Sequence, residues 1–204
     1  MELQFIFSLI ILIMSVVIHE VAHGYTAQRF GDPTARLQGR LTLNPVKHLD
    51  LFGSIIIPFI TFLAGGIIFG WAKPVQINPY NMTDRRKGEL FTAFAGPASN
   101  LILALIFGLV IRFGMAQNLI SQGFLQMSVI IVIINITLAI FNLIPIPPLD
   151  GSKILFSLLP ARFENVRYYL EAYSLVLVLL LVFFLWRFIT PIIPFVFTTL
   201  TGLQ

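Results

Sequence analysis

Long apolar runs separated by short polar clusters set the pattern of the chain. Leu3 to about Phe30 reads as a helix, largely apolar as far as Ile18 and then polar on one side through Tyr25, Thr26, Gln28 and Arg29. Gly31 followed by Asp32-Pro33 is a stop signal for it. Leu90 to Phe113 predicts a second spanning helix, with Gly96-Pro97-Ala98-Ser99-Asn100 inside it. Phe124 to Leu143 predicts a third, carrying Asn135 and Asn142, and it ends in Pro145-Ile146-Pro147-Pro148, which cannot continue as regular helix. Tyr168 to Ile189 predicts a last span, followed by an uncharged tail from Pro191 to Gln204. Two stretches break the helical pattern. Arg36 to Asn44 alternates apolar and polar with period two, which predicts a strand, and a second extended piece is expected at Trp71 to Asn78. Between them, Leu51 to Phe69 is apolar but interrupted by Pro58 and Gly65-Gly66.

Composition turns these runs into membrane segments. Of 204 residues, 57% are hydrophobic and only 11% charged, where a soluble domain carries about 25% charged residues. A helix crossing a hydrocarbon core needs roughly 20 apolar residues, so four or five segments occupy most of the chain. The expected fold is an all-α polytopic membrane protein. A last segment is expected at about 168–190, and a small cytoplasmic-side β-hairpin and a re-entrant segment complete a single domain over 1–204. The apolar N-terminus has no basic leader or small-residue cleavage site, so it is read as a retained helix. There is no cysteine, which excludes disulfides, thiolate metal sites and a cysteine nucleophile.

The net charge of +4 is explained by topology and is no nucleic-acid signature. Eleven of the thirteen lysines and arginines fall in three loops: Arg29, Arg36, Arg40 and Lys47; Lys73, Arg85, Arg86 and Lys87; Lys153, Arg162 and Arg167. The positive-inside rule places all three in the cytoplasm. Residues 51–69 then dip into the bilayer and return, or lie at its interface, and the first helix runs parallel to 124–143. His19, His23 and Asp150 arrive on the same side of the membrane.

Those residues carry the candidate chemistry. His19-Glu20-Val21-Ala22-His23 reads H-E-x-x-H. On a helix the two imidazoles, four residues apart, project from one face and reach one metal ion, with Glu20 beside them as general base. The sixteen residues from Leu3 to Ile18 place the motif about 24 Å along the axis at 1.5 Å per residue, within the bilayer near one face. Ionisable residues at that depth are functional by default. Catalytic zinc takes three protein ligands and keeps one position open, so one Zn2+ per chain needs a third ligand. Asp150 is the first candidate, because it sits on broken backbone, tolerated at membrane depth only where buried or lining a cavity. His48, beside Asp50, is the competing ligand, or a residue standing behind the ligands. Asn135 reads as a helix–helix hydrogen bonder. Asn142, three residues before Pro145, is placed to hold a substrate backbone or the oxyanion. The strand at 36–44 offers an edge for an extended substrate.

Taken together, His19-Glu20-x-x-His23, Gly96-Pro97-x-x-Asn100 and Asn142-x-x-Pro145-x-Pro147-Pro148-x-Asp150-Gly151 resemble the site-2 protease family of intramembrane zinc metalloproteases, in a short form without a PDZ or other fused domain. The resemblance implies a three-helix catalytic core over about residues 3–157, zinc held by His19, His23 and Asp150, Glu20 as base, Asn142 near the substrate, and cleavage of a transmembrane segment of a membrane-protein substrate. The expected location is a cell membrane, with the lipid bilayer as surroundings and the active site towards the cytoplasm. A metal transporter or non-proteolytic metal-binding membrane protein is the alternative. It would spread ionisable residues along a path, whereas here they collect at one depth.

Overall fold

The computed structural model describes residues 2–50, 56 and 73–203. Helix α1 (Glu2–Arg29) is followed by a single turn, α2 (Thr34–Leu37), then α3 (Arg85–Ala116), α4 (Gln122–Leu143) and α5 (Asp150–Leu158). The C-terminal part holds α6 (Glu164–Ala172), α7 (Ser174–Leu180), a π-helical stretch at Leu181–Leu185, α8 (Trp186–Ile189) and α9 (Ile192–Thr201). Among the described residues three helices are long and apolar enough to cross a membrane: Gln4–Arg29, Arg85–Ala116 and Gln122–Leu143. At 1.5 Å per residue even the shortest of these exceeds a hydrocarbon core about 30 Å thick. The protein is therefore an all-helical integral membrane protein, and the positions of the three core helices match the pattern of apolar runs.

Helix α3 stands in the middle, packed on α1, α4, α5 and α9. Its buried positions are mostly small or polar, among them Ala93, Gly96, Asn100, Ala104 and Gly108, which lets neighbouring helices approach closely where lipid supplies no hydrophobic driving force. Towards its C-terminal half, Ala104 and Ile111 meet Val132 and Ile136 of α4 in an apolar cluster closed by Val196, Phe197 and Leu200 of α9. The outer face of α1, with Phe5, Ile6, Leu9 and Ile10, is exposed, as a lipid-facing surface requires.

Three expectations are corrected. Residues 36–44 form no strand. Asp32 accepts hydrogen bonds from the Thr34 amide and hydroxyl and so starts the turn of α2. Gly39 then takes φ +64°, and the Asn44 side chain caps a 3-10 turn at Pro45–His48. The alternation misleads because its apolar residues share no buried face: Leu37 is 80% exposed, whereas Leu41 packs at Gly24. Among the described residues no sheet forms, so the expected β-hairpin is not found there. Lys73–Asn78 bonds to side chains and turns instead: Lys73 N–H to His48 O, 2.8 Å, Gln76 Oε1 to Gln38, 2.7 Å, and Asn78 N–H to Asp32 Oδ2, 2.7 Å. Asp32 is the knot of this loop layer. Burial pushes its carboxyl pKa up, but the donors from Thr34, Asn78 and Asn81 outweigh that and hold it below the usual carboxylate range. The predicted re-entrant segment over 51–69 lies, apart from Ile56, outside the described residues.

The third correction concerns the C-terminus. The span expected at 168–189 is helical but divided at Tyr173 and by the π-helical stretch. The expected tail contains α9, which folds back onto α3 and α4, with Arg112 donating to Thr199 O at 3.0 Å.

Candidate metal centre

Helix α1 presents His19 and His23 from one face, with ring centroids 4.6 Å apart and the planes nearly perpendicular. Asp150 opens α5, directly after the proline-broken segment, where Gly151 packs against the carbonyls of Leu143 and Ile144 so closely that any side chain would strike backbone. That contact brings the start of α5 under the end of α4 and aims Asp150 at the histidines. His19 Nε2, His23 Nε2 and Asp150 Oδ2 lie 3.0, 3.1 and 3.1 Å from one another. All three residues are buried, at 5 or 6% exposure. Among the described residues they form the one group of such side chains gathered closely enough to hold a metal.

The protons decide what that gathering means. Asn135 on α4 points an amide nitrogen at Ile131 O, 2.9 Å. A carbonyl only accepts, so the side-chain oxygen of Asn135 faces Asn100 on α3, which must meet it with its own amide nitrogen, 2.8 Å. The oxygen of Asn100 is thereby turned to His19 Nδ1, 2.6 Å, and His19 carries its proton there. Asn135 also donates to Ser15 Oγ, 2.9 Å, so the chain of bonds ties all three long helices together. His23 Nδ1 likewise meets Thr92 O at 2.6 Å. Both rings thus keep Nε2 bare, and two imidazole lone pairs converge with a carboxylate oxygen. Such a cluster repels itself unless a cation holds it together, and the second nitrogen of a metal-binding histidine characteristically donates in this way. The separations approach the roughly 3.3 Å edge of a tetrahedron with bonds of about 2.0–2.1 Å. Gly96 leaves the space for it: a Cβ there would collide with both Nε2 atoms. The donor set fits zinc.

The two oxygens of the Asp150 carboxylate face different ways, Oδ2 towards the histidines and Oδ1 outward. Its Oδ1 pairs with Lys153 Nζ at 3.1 Å. Glu20 is half-buried and accepts the Val75 N–H at 2.7 Å through Oε2. A cleft of about 480 Å³ opens beside the triad, lined by His23, Thr92, Val75, Ile77, Lys153 and Arg167 among others.

Two expected residues stand apart. His48 does not join the triad: its Nε2 donates to Thr42 O at 2.9 Å, and its ring is buried in the loop layer. Asn142 donates to Leu138 O of its own helix at 3.0 Å and bonds to none of the three. Sequence reasoning used Gly96 and Asn100 as parts of a motif and Lys153 as a loop cation, but gave none of them a contact at the site, and it did not single out Thr92.

The model for peptidase family M50 matches residues 7–121 and 111–185. The "Putative zinc metalloprotease YwhC" of Bacillus subtilis is 42% identical over 188 residues, 90% of this chain and 80% of that one. The "Putative zinc metalloprotease Rip2" of Mycolicibacterium smegmatis is 37% identical over 146 residues, 68% of this chain but 52% of its own length. The "Putative zinc metalloprotease MJ0611" of Methanocaldococcus jannaschii is 30% identical over 154 residues, 75% of this chain and 71% of that one. No solved structure matches with comparable significance. A family match along most of the chain and relatives of this kind agree with the buried His-His-Asp cluster, and the chain belongs to peptidase family M50, the zinc metalloproteases.

Proposed function

We propose that this protein is an intramembrane endopeptidase that hydrolyses peptide bonds in or near transmembrane segments of membrane proteins, with its active site towards the cytoplasmic side. The observation that carries the reading is the depth of the triad. His19 and His23 sit on a membrane-crossing helix, buried against two others, where a soluble loop has no natural access. The clustering of Arg29, Lys73, Arg85, Arg86, Lys87 and Lys153 at the ends nearest the triad supports the cytoplasmic side.

His19, His23 and Asp150 are assigned as zinc ligands. Bound there, zinc supplies Lewis acidity, lowering the pKa of a water to about 7 and polarising a carbonyl. Glu20 takes a proton from the attacking water as oxygen adds to the scissile carbonyl carbon, then delivers it to the departing nitrogen as the C–N bond breaks. The Val75 amide fixes one Glu20 oxygen and leaves the other for that proton. A helical substrate hides its carbonyls in its own hydrogen bonds, so it must unwind locally to react. The side-chain oxygen of Asn142, which has no partner among the described residues, accepts an unwound backbone N–H. His48 holds the loop layer through Thr42 and is assigned no ligand role.

The test is cleavage of a model transmembrane peptide by the purified protein, with zinc measured on the same sample. One zinc per chain and cleavage are expected, together with a Glu20→Gln variant that keeps zinc and loses cleavage. Normal cleavage by that variant would remove Glu20 from its role. Zinc uptake into vesicles without cleavage would favour transport, and equal turnover of a casein-like substrate would move the site's target to soluble loops.

A further inference from the structure

We propose that Lys153 is a positioning residue for the metal centre: its ammonium takes the Asp150 oxygen that faces away from the histidines, and so leaves Asp150 a single oxygen with which to coordinate. The inference rests on the reading of His19, His23 and Asp150 as zinc ligands. The two oxygens of Asp150 have divided duties. Oδ2 lies 3.1 Å from both Nε2 atoms, whereas Oδ1 lies 3.1 Å from Lys153 Nζ. A carboxylate can hold a metal through one oxygen or through both. Chelation through both would fill the position that a catalytic zinc keeps open for water. A cation fixed on Oδ1 prevents that without touching the metal.

Helix geometry supplies the reach. Asp150 and Lys153 are three residues apart on α5, so their side chains share a face. The Lys153 side chain is 49% exposed and that of Asp150 only 7%, so the ammonium comes in from the open side of the cleft, which Lys153 lines together with His23 and Thr92. An exposed pair at this spacing holds little; here one partner is buried, and losing the other leaves a carboxylate oxygen with nothing to face. No neighbour substitutes for it. The Ser152 hydroxyl is turned to Leu149 O at 2.7 Å, and among the described residues Lys153 is the sole side chain other than the histidines bonded to Asp150.

The experiment compares Lys153→Met and Lys153→Arg with the unaltered full chain. It reads zinc affinity by chelator competition, coordination from the visible spectrum of the cobalt(II)-loaded protein, and cleavage of a model transmembrane peptide. Lys153→Met is expected to weaken zinc by about tenfold to a hundredfold, as loss of a residue supporting a ligand does. Its cobalt bands are expected to weaken towards those of a five-coordinate ion, and kcat to fall with KM little changed. Lys153→Arg is expected to restore all three. Unaltered affinity and spectrum in a folded Lys153→Met protein overturn the proposal, as does failure of arginine to rescue. Should the methionine variant not fold, Lys153→Gln is read by the same criteria. Unaltered protein that takes up neither zinc nor cobalt would instead overturn the ligand assignment beneath it.

Discussion

Helix α3 has two interiors. Near its N-terminal end, Thr92, Gly96 and Asn100 face the histidines of α1, and nearly every polar atom there has a defined partner. Farther along, Ala104 and Ile111 pack in an apolar cluster with Val132 and Ile136 of α4 and residues of α9, and Gly108 lies against Leu200 of α9. Both halves are close-packed and both use small residues, yet they do so for different ends. In the first half the space left by a missing side chain belongs to ligand atoms; in the second it belongs to another helix. The contrast teaches that small residues in a membrane helix have no single meaning, and that their neighbours decide whether a site or a stability is at stake.

The same substitution made in each half should separate the two most sharply. Gly96→Ala puts a Cβ onto His19 Nε2 and His23 Nε2, and the rings cannot retreat without giving up Asn100 and Thr92. Loss of zinc and a fall in cleavage of more than about a hundredfold are expected, since distortion at this site costs both ligand geometry and reaction geometry. Metal analysis of the purified variant checks it, and retained stoichiometric zinc would refute the close approach. Gly108→Ala meets Leu200 Cβ at 2.9 Å instead. Overpacking of this kind costs about 1–3 kcal/mol, so a lower unfolding temperature with zinc and cleavage intact is expected. If Gly108→Ala loses zinc as readily as Gly96→Ala, the two halves are not separate.

Asn100→Ala tests the link between them, for it stands where the polar half begins. The substitution removes the acceptor for His19 Nδ1 and strands Asn135 Oδ1 in a buried place. Zinc affinity is expected to fall by about tenfold to a hundredfold, or roughly 1.4–2.7 kcal/mol. Chelator competition reads that directly, and unaltered affinity would show that His19 keeps its tautomer without help.

The polar half was partly legible in the sequence, because a metal motif has fixed spacing on a helix. Counting apolar residues before His19 gave its depth, and the loop cations brought Asp150 to the same side from 127 residues beyond His23. The network behind the ligands was not legible. Asn100 and Asn135 each look, alone, like a bond between helices, and only the fold shows that they act in series on His19. The loop layer misled for a related reason. Alternation at 36–44 predicts a strand only if one face is buried, and burial there is set by Gly24 and Val75, which are distant in sequence. The apolar half hid its closing element, because Pro191 and a lack of charge resemble a tail until α9 is seen against α3.

The smallest expected effect lies at Thr92, which has a foot in each kind of interior. Its carbonyl holds His23, but its hydroxyl is buried without a partner among the described residues. An unpaired buried hydroxyl costs about 1–3 kcal/mol, and replacing it by an apolar group of the same shape relieves that cost. Thr92→Val keeps the carbonyl and the volume, so zinc affinity should be unchanged and the unfolding free energy should rise by about 1 kcal/mol. Thr92 also lines the cleft beside His23. If its hydroxyl serves only packing, cleavage of a transmembrane peptide by Thr92→Val should match that of the unaltered protein. Cleavage that falls while zinc and stability hold would place the hydroxyl on the substrate, and would extend the polar half of α3 from holding the metal's ligands to holding what is cut.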